Sequence, residues 1–101
     1  MAHHILTLTD PARSDLRRAR SWYRKHHPDR LPAFVAEIQV TLATIVEAPL
    51  RSPRVGNEAR RRRVFQRFPF VLIFHIDGDR VIVDALRHTA RGPDARFPED
   101  P

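Results

Sequence analysis

Apolar residues recur along this chain with two different periods, and the change of period divides it into a helical half and a β half. Ile5 to Leu8 is short and apolar with threonine, which predicts an edge strand. Thr9-Asp10-Pro11 then reads as a helix start, a capping side chain followed by proline at the first helical position. Ala12, Leu16, Ala19 and Tyr23 follow at helical spacing, so a first helix is expected to run to about His26. His26-His27-Pro28-Asp29 breaks the pattern. Leu31, Phe34, Ile38, Leu42 and Ile45 then keep to one face of a second helix, broadened by Val35 and Val46 and ended by Pro49. The short connection predicts an antiparallel helical hairpin.

Residues 48–60 hold Pro49, Pro53, Gly56 and Asn57 and read as a loop. Beyond them the period shortens. Arg61 to Phe68 can alternate, Phe70 to Ile76 is almost continuously apolar, and Val81, Val83 and Ala85 alternate with their neighbours. Being apolar on both faces, Phe70 to Ile76 is expected to be the central strand. Asp77-Gly78-Asp79 signals a hairpin, with Asp-Gly suited to the positive φ angles of a type I′ turn. Pro69 has no N–H to give a ladder, so a tight turn or bulge is expected there. The order β-α-α-β-β-β predicts an α+β fold in which the helical hairpin packs on one face of a mostly antiparallel four-stranded sheet. The opposite face is left open.

Size and composition narrow the function classes. The 101 residues suit one domain, and an apolar share of 42% separates the chain from disordered tails. It has no cysteine, which excludes a disulfide scaffold, a thiolate metal site and a cysteine nucleophile, and fits a reducing cytoplasm. No segment approaches the roughly 20 apolar residues of a membrane span, and the start MAHHILTLTD lacks the apolar core of a signal peptide. A cytoplasmic protein with no membrane partner is therefore expected. The net charge is +6, and arginine supplies all but one of the eighteen basic residues. Its planar donor fork suits phosphate and carboxylate, so an acidic partner is implied: nucleic acid, an acidic protein surface or a ribosome-like assembly.

The arginines are grouped. Arg13, Arg17, Arg20 and Arg24 make a stripe on the first helix opposite its apolar side, the usual arrangement of a solvated face. Arg60-Arg61-Arg62-Arg63, with Arg67 close by, enter the second strand, and Arg87, His88 and Arg91 lie at the far end of the last. Alternation puts Arg61, Arg63 and Arg67 on one face and Arg62 on the other. The two groups are expected to converge at one end of the open face, which makes Arg61, Arg63, Arg67, Arg87, His88 and Arg91 the candidate target-binding residues. The bland alternative is a charged edge that blocks aggregation.

None of the six histidines has the spacing of a metal-binding helix, and neither a metal nor a cofactor is expected. His75, on an apolar strand, reads as a hydrogen-bonded sheet residue. His88, with arginines around it that favour the neutral ring, is the one histidine placed to act as a general base. No Ser/His/Asp arrangement, paired carboxylates or glycine-rich phosphate loop is visible.

The stretch RRRVFQRFPFVLIFHIDGDRVIVDALRHTARGP resembles the three C-terminal strands of RelE/ParE toxins, and DPARSDLRRARSWYRKHHPDRLPAFVAEIQVTLATIVEAPLRSP resembles their helical hairpin and the proline-containing loop after it. The likeness covers about residues 5–93, leaving 94–101 as an expected flexible tail. It implies the toxin half of a bacterial type II toxin–antitoxin pair, bound by a cognate antitoxin in a hetero-oligomer. RelE-like members are ribosome-dependent mRNA endonucleases, whereas ParE-like members poison DNA gyrase. The nuclease pattern places arginine after an aromatic on the central strand, and this chain has Val71 after Phe70. Arg91 matches the arginine after the last strand. The tyrosine expected six residues further on is Phe97, which has no hydroxyl, and the lone tyrosine, Tyr23, falls on the core side of the first helix. The RFPF start of the central strand and the HTAR ending look more like the ParE side.

A non-enzymatic gyrase poison is therefore the leading expectation, with DNA gyrase as the partner. The alternative is a metal-independent endoribonuclease acting on mRNA at the ribosome, with Arg63, Arg67, Arg87, His88 and Arg91 as its catalytic candidates. A third reading is a module that only binds an antitoxin. Antitoxin contacts are expected at Trp22, Arg62 and Arg67, from an acidic segment that folds as it docks.

Overall fold

The computed structural model describes residues 4–89. Strand β1 (Ile5–Leu8) leads into helix α1 (Asp10–His26) and, through a one-turn 3₁₀ helix at Pro28–Arg30, into helix α2 (Leu31–Glu47). A second 3₁₀ turn at Pro49–Arg51 precedes strands β2 (Arg61–Val64), β3 (Phe70–Asp77) and β4 (Arg80–His88). The order in the sheet is β1-β4-β3-β2, with β1 parallel to β4 and both other pairings antiparallel. Arg91, Phe97 and residues 94–101 lie outside the described residues. Among the described residues, no helix is long and apolar enough to cross a membrane.

The helical hairpin follows the expected pattern. Thr9 caps α1, its Oγ1 accepting from the Ala12 amide at 3.2 Å, and Asp10 rather than Pro11 takes the first helical position. Ala12, Leu16, Ala19 and Tyr23 are buried, while Arg13, Arg17 and Arg24 stay exposed and Arg20 is half-buried. From α2, Phe34, Ile38 and Ile45 enter the same core. Phe34 is fully buried at the centre of an aromatic cluster, 4.5 Å from Tyr23, 5.2 Å from Phe68 and 5.3 Å from Phe70 between ring centroids.

The β half departs from expectation in three places. Strand β2 stops at Val64 instead of running to Phe68, because Phe65 and Phe68 both turn into the core. The turn between β2 and β3 is held by a buried carboxylate. Glu37 of α2 accepts the amide of Arg67 at 3.1 Å and that of Gln66, satisfying donors that a continuous ladder would otherwise occupy. Phe70 to Asp77 is interior as expected, but β4 is interior too, lying between β3 and β1.

The second departure is a β-bulge. Ile73 pairs with Ala85 and Phe74 with Val83, so Asp84 is the extra residue of β4. The insertion changes the alternation of β4: Val81, Val83 and then Leu86 point into the core, and Ala85 does not. Asp15 of α1 reaches the bulge, accepting the Leu86 amide at 3.1 Å.

The third is the hairpin. Asp77 pairs directly with Arg80, so Gly78 occupies the first central position of the turn rather than the second. Gly78 has φ +61°, and no non-glycine residue described has positive φ. That matches a type II′ turn, not the type I′ expected. A Cβ at Gly78 would meet nothing within 4 Å, so only backbone strain opposes a side chain there. Gly78→Ala is expected to destabilise the fold by about 1–2 kcal/mol. The check is a urea midpoint lowered at unchanged slope.

Candidate functional site

The pairing of the strands decides which arginines share a surface. Directly opposed residues of neighbouring strands project to the same side of a sheet. Phe70, Leu72 and Phe74 face the helices, so Arg61 (opposite Phe74), Arg63 (opposite Leu72) and His88 (opposite Phe70) lie on the helix side. The open face receives Arg62 (opposite Ile73), Val64 (opposite Val71) and Arg87 (opposite Val71). The expected convergence of Arg61, Arg63, Arg67, Arg87 and His88 on one open surface is therefore not what the fold produces. Alternation separated the run correctly. The error was the side of the sheet, since Arg61 and Arg63 turn toward the hairpin.

Arg61 has a structural task. Its guanidinium donates to the carbonyl of Ser52 at 2.7 Å and lies 3.5 Å from that of Leu50, tying the long loop to the sheet edge. Arg63 and Arg67 line a shallow groove between β2 and α2, floored by Glu37 and Thr41 and bordered by the exposed Val40 and Val64. The Arg67 side chain is mostly exposed, with Nε 4.0 Å from the Glu37 carboxylate.

The face away from the helices carries apolar residues framed by charge, of which Val64 is exposed, Val71 and Ala85 are half-buried and Ile73 is buried. Val64, Val71, Ile73 and Ala85 lie in adjacent positions across three strands, with Arg62 and Arg87 at diagonal corners. Farther along, His75 Nδ1 is 2.8 Å from an Asp84 carboxylate oxygen, so this histidine is the hydrogen-bonded sheet residue expected of it. The bulge matters here. Had β4 kept the alternation of Val81 and Val83, Arg87 would project into the core side and His88 to the open face.

His88 instead walls a cavity of about 210 Å³ at the end of the hairpin, together with Trp22, Tyr23 and Phe70. His27, Arg30 and Pro69 complete the lining. The His88 ring stands edge-on to Phe70 at 5.2 Å, and Trp22 lies edge-on to Tyr23 and tilted against His26 and His27 at 4.9 to 5.5 Å. Burial pushes the Tyr23 phenol above its ordinary value, with the Arg30 charge acting the other way. Among the described residues, no group of three His, Asp or Glu side chains is arranged to hold a metal ion.

The carboxylates that hold the site, Asp15 and Glu37, were not singled out from the sequence. The signal was present in both: an acid three residues after an apolar position on a core-facing stripe (Ala12 then Asp15, Phe34 then Glu37).

Residues 6–93 match a family described as the ParE toxin of the type II toxin–antitoxin system, parDE. Among solved structures, a chain of the chromosomal ParDE toxin–antitoxin system of P. aeruginosa superposes with a TM-score of 0.76 at 18% identity, covering 87% of this chain and 98% of that one. A chain of the RelBE2 toxin–antitoxin complex of Mycobacterium tuberculosis gives a TM-score of 0.56 at 22% identity, covering 85% and 98%. At these identities the two structures speak for the fold. No curated protein matches the sequence. With the β-α-α-β-β-β fold and the match over most of its length, the chain belongs to the ParE toxin family of type II toxin–antitoxin systems.

Proposed function

We propose that this toxin arrests growth by poisoning DNA gyrase and that a cognate antitoxin neutralises it. The observation that carries the first half is the placement of Val71. At the position where the nuclease pattern calls for arginine, the open face presents Val71 between Val64 and Arg87. Arg63 and His88 lie on the other side of the sheet from Arg87. A phosphodiester in cleavage needs several cations and a base aimed at one phosphate. An apolar strip with arginines at its corners fits a protein surface better, because burial supplies affinity and charge supplies orientation.

For the antitoxin, support comes from the groove beside β2. Strand β2 is an edge of the sheet, and exposed Val40 and Val64 lie beside Arg63 and Arg67. An acidic, partly apolar segment matches that combination. Of the residues expected to meet it, Arg67 lines this groove, Arg62 lies on the adjoining open face and Trp22 walls the separate cavity.

Purified protein added to a gyrase supercoiling assay, and separately to ribosomes translating a defined mRNA, tests the reading. Inhibition of supercoiling with intact message is expected. Cleaved message with unaffected gyrase would establish the nuclease instead.

A further inference from the structure

We infer that the cavity at the end of the hairpin receives an unstacked nucleobase from a single-stranded nucleic acid. This inference is independent of which target the toxin arrests. Its first support is the wall. Trp22 and His88, over a floor of buried Phe70, line about 210 Å³, a space on the scale of one aromatic group and smaller than the roughly 300–1,000 Å³ of ordinary small-molecule sites. Bases of any identity stack on aromatic side chains, since every base has a π face.

The second support is charge. No carboxylate is among the described lining residues, and Arg30 stands at the cavity with its guanidinium carbon 4.8 Å from the Phe68 ring centroid. On α1, Arg18 lies four residues before Trp22 and Lys25 three after it, so both project from the same side of the helix as the indole, and both are exposed. Arg18, Lys25 and Arg30 therefore give a cationic track past an aromatic pocket, the combination that follows a phosphate backbone while seating a base.

The third support separates nucleic acid from a protein segment. A peptide anchored by one aromatic side chain also buries apolar neighbours around the anchor. The exposed large hydrophobics among the described residues are Ile5, Leu6, Val40, Leu50 and Val64, and none of them lines this cavity. The one Arg or Lys side chain in its lining is that of Arg30, a partner for phosphate.

Trp22 is the sole tryptophan of the chain, so its fluorescence reports on the cavity alone. An oligothymidylate of about twelve nucleotides, within the usual site range of such platforms, is expected to quench that emission on binding to the full chain. An abasic strand of equal length and charge should bind at least about tenfold more weakly, losing the stacking contribution. Trp22→Leu keeps apolar bulk but removes the π face, and should weaken binding about 5- to 100-fold by anisotropy of a labelled strand. Trp22→Phe should recover most of it. Arg54→Ala, one exposed charge fewer away from the cavity, should bind within about twofold of the parent. Equal affinity for the abasic strand, or for the Leu and Phe variants, would overturn the inference and leave only general attraction to phosphate. Quenching by an acidic aromatic peptide but not by the oligonucleotide would overturn it in favour of a protein partner.

Discussion

Reversing the charge of Arg62 and Arg87 together is expected to abolish gyrase inhibition and growth arrest while the protein remains folded. Both residues lie on the open face, opposite Ile73 and Val71, at the corners of the apolar strip. Removing charges that complement a partner weakens association, and replacing them with the opposite sign adds repulsion, so the concentration needed for half-inhibition should rise on the order of 100-fold or more. Arg62 is exposed and should tolerate the change, whereas Arg87 is half-buried on an interior strand, so circular dichroism must show that the double variant is folded before its activity is read. Arg13→Glu, Arg17→Glu and Arg24→Glu together alter more charge on the exposed side of α1. That variant should still arrest growth if proximity to the strip, rather than total charge, is what matters. His88→Ala adds a further division, since the ring faces the hairpin cavity. A nuclease using it as a base would lose about a hundredfold or more in rate, whereas a gyrase poison acting through the open face should lose no more than a few-fold. Supercoiling inhibition, growth on induced expression and circular dichroism are the readouts. A lethal face variant and an inactive helix variant would place the working surface on α1.

How far the sequence reached depended on whether a feature was periodic. The hairpin was legible because Ala12, Leu16, Ala19 and Tyr23, and then Phe34, Ile38 and Ile45, recur at the helical interval with capping and proline signals around them. The interior strand was legible because Phe70 to Ile76 is apolar on both sides. What escaped were features that depend on a single non-periodic contact. Pro69 signalled a turn, but the place where β2 ends, with Phe65 and Phe68 turned into the core, is held by Glu37, some thirty residues earlier in the chain, reaching the amides of Gln66 and Arg67.

The misplacement of the arginines has the same origin. Strand alternation separates Arg61 and Arg63 from Arg62, but only the pairing with β3 says which set faces the helices. On β4 the sequence held a usable signal that was missed. Val81, Val83 and Leu86 are spaced by two and then by three, the mark of an inserted residue, which Ala85 masks by continuing the simple alternation. That one residue decides that Arg87 reaches the open face and His88 the cavity. The candidate site was therefore legible as a list of residues and illegible as a surface.

Since the bulge sets the direction of Arg87, the residue that holds the bulge should control both stability and activity. Asp15 is buried in α1 and accepts the Leu86 amide at 3.1 Å, two residues past the extra Asp84. Thr9 Oγ1 donates to the Asp84 carbonyl at 3.3 Å, and the Asp84 carboxylate meets His75, but neither satisfies that amide. Asp15→Ala leaves the Leu86 N–H buried without its acceptor, and losing a charged hydrogen-bond partner in this way costs about 3 kcal/mol. For a chain of this size that corresponds to a fall in Tm of roughly 10–20 °C. Asp15→Asn keeps an acceptor oxygen at the same reach and should recover more than half of the loss. The amide of Leu86 should exchange with solvent faster than its strand neighbours in the Ala variant, and at near-parent rates in the Asn variant. Activity gives the second readout. At a temperature where the Ala variant is still folded, its inhibition of gyrase should fall further than its folded fraction does, because β4 can then relax toward simple alternation and turn Arg87 inward. An Ala variant as stable as the parent, with Leu86 still protected, would show that Thr9 and His75 suffice to hold the bulge and that Asp15 does not direct Arg87.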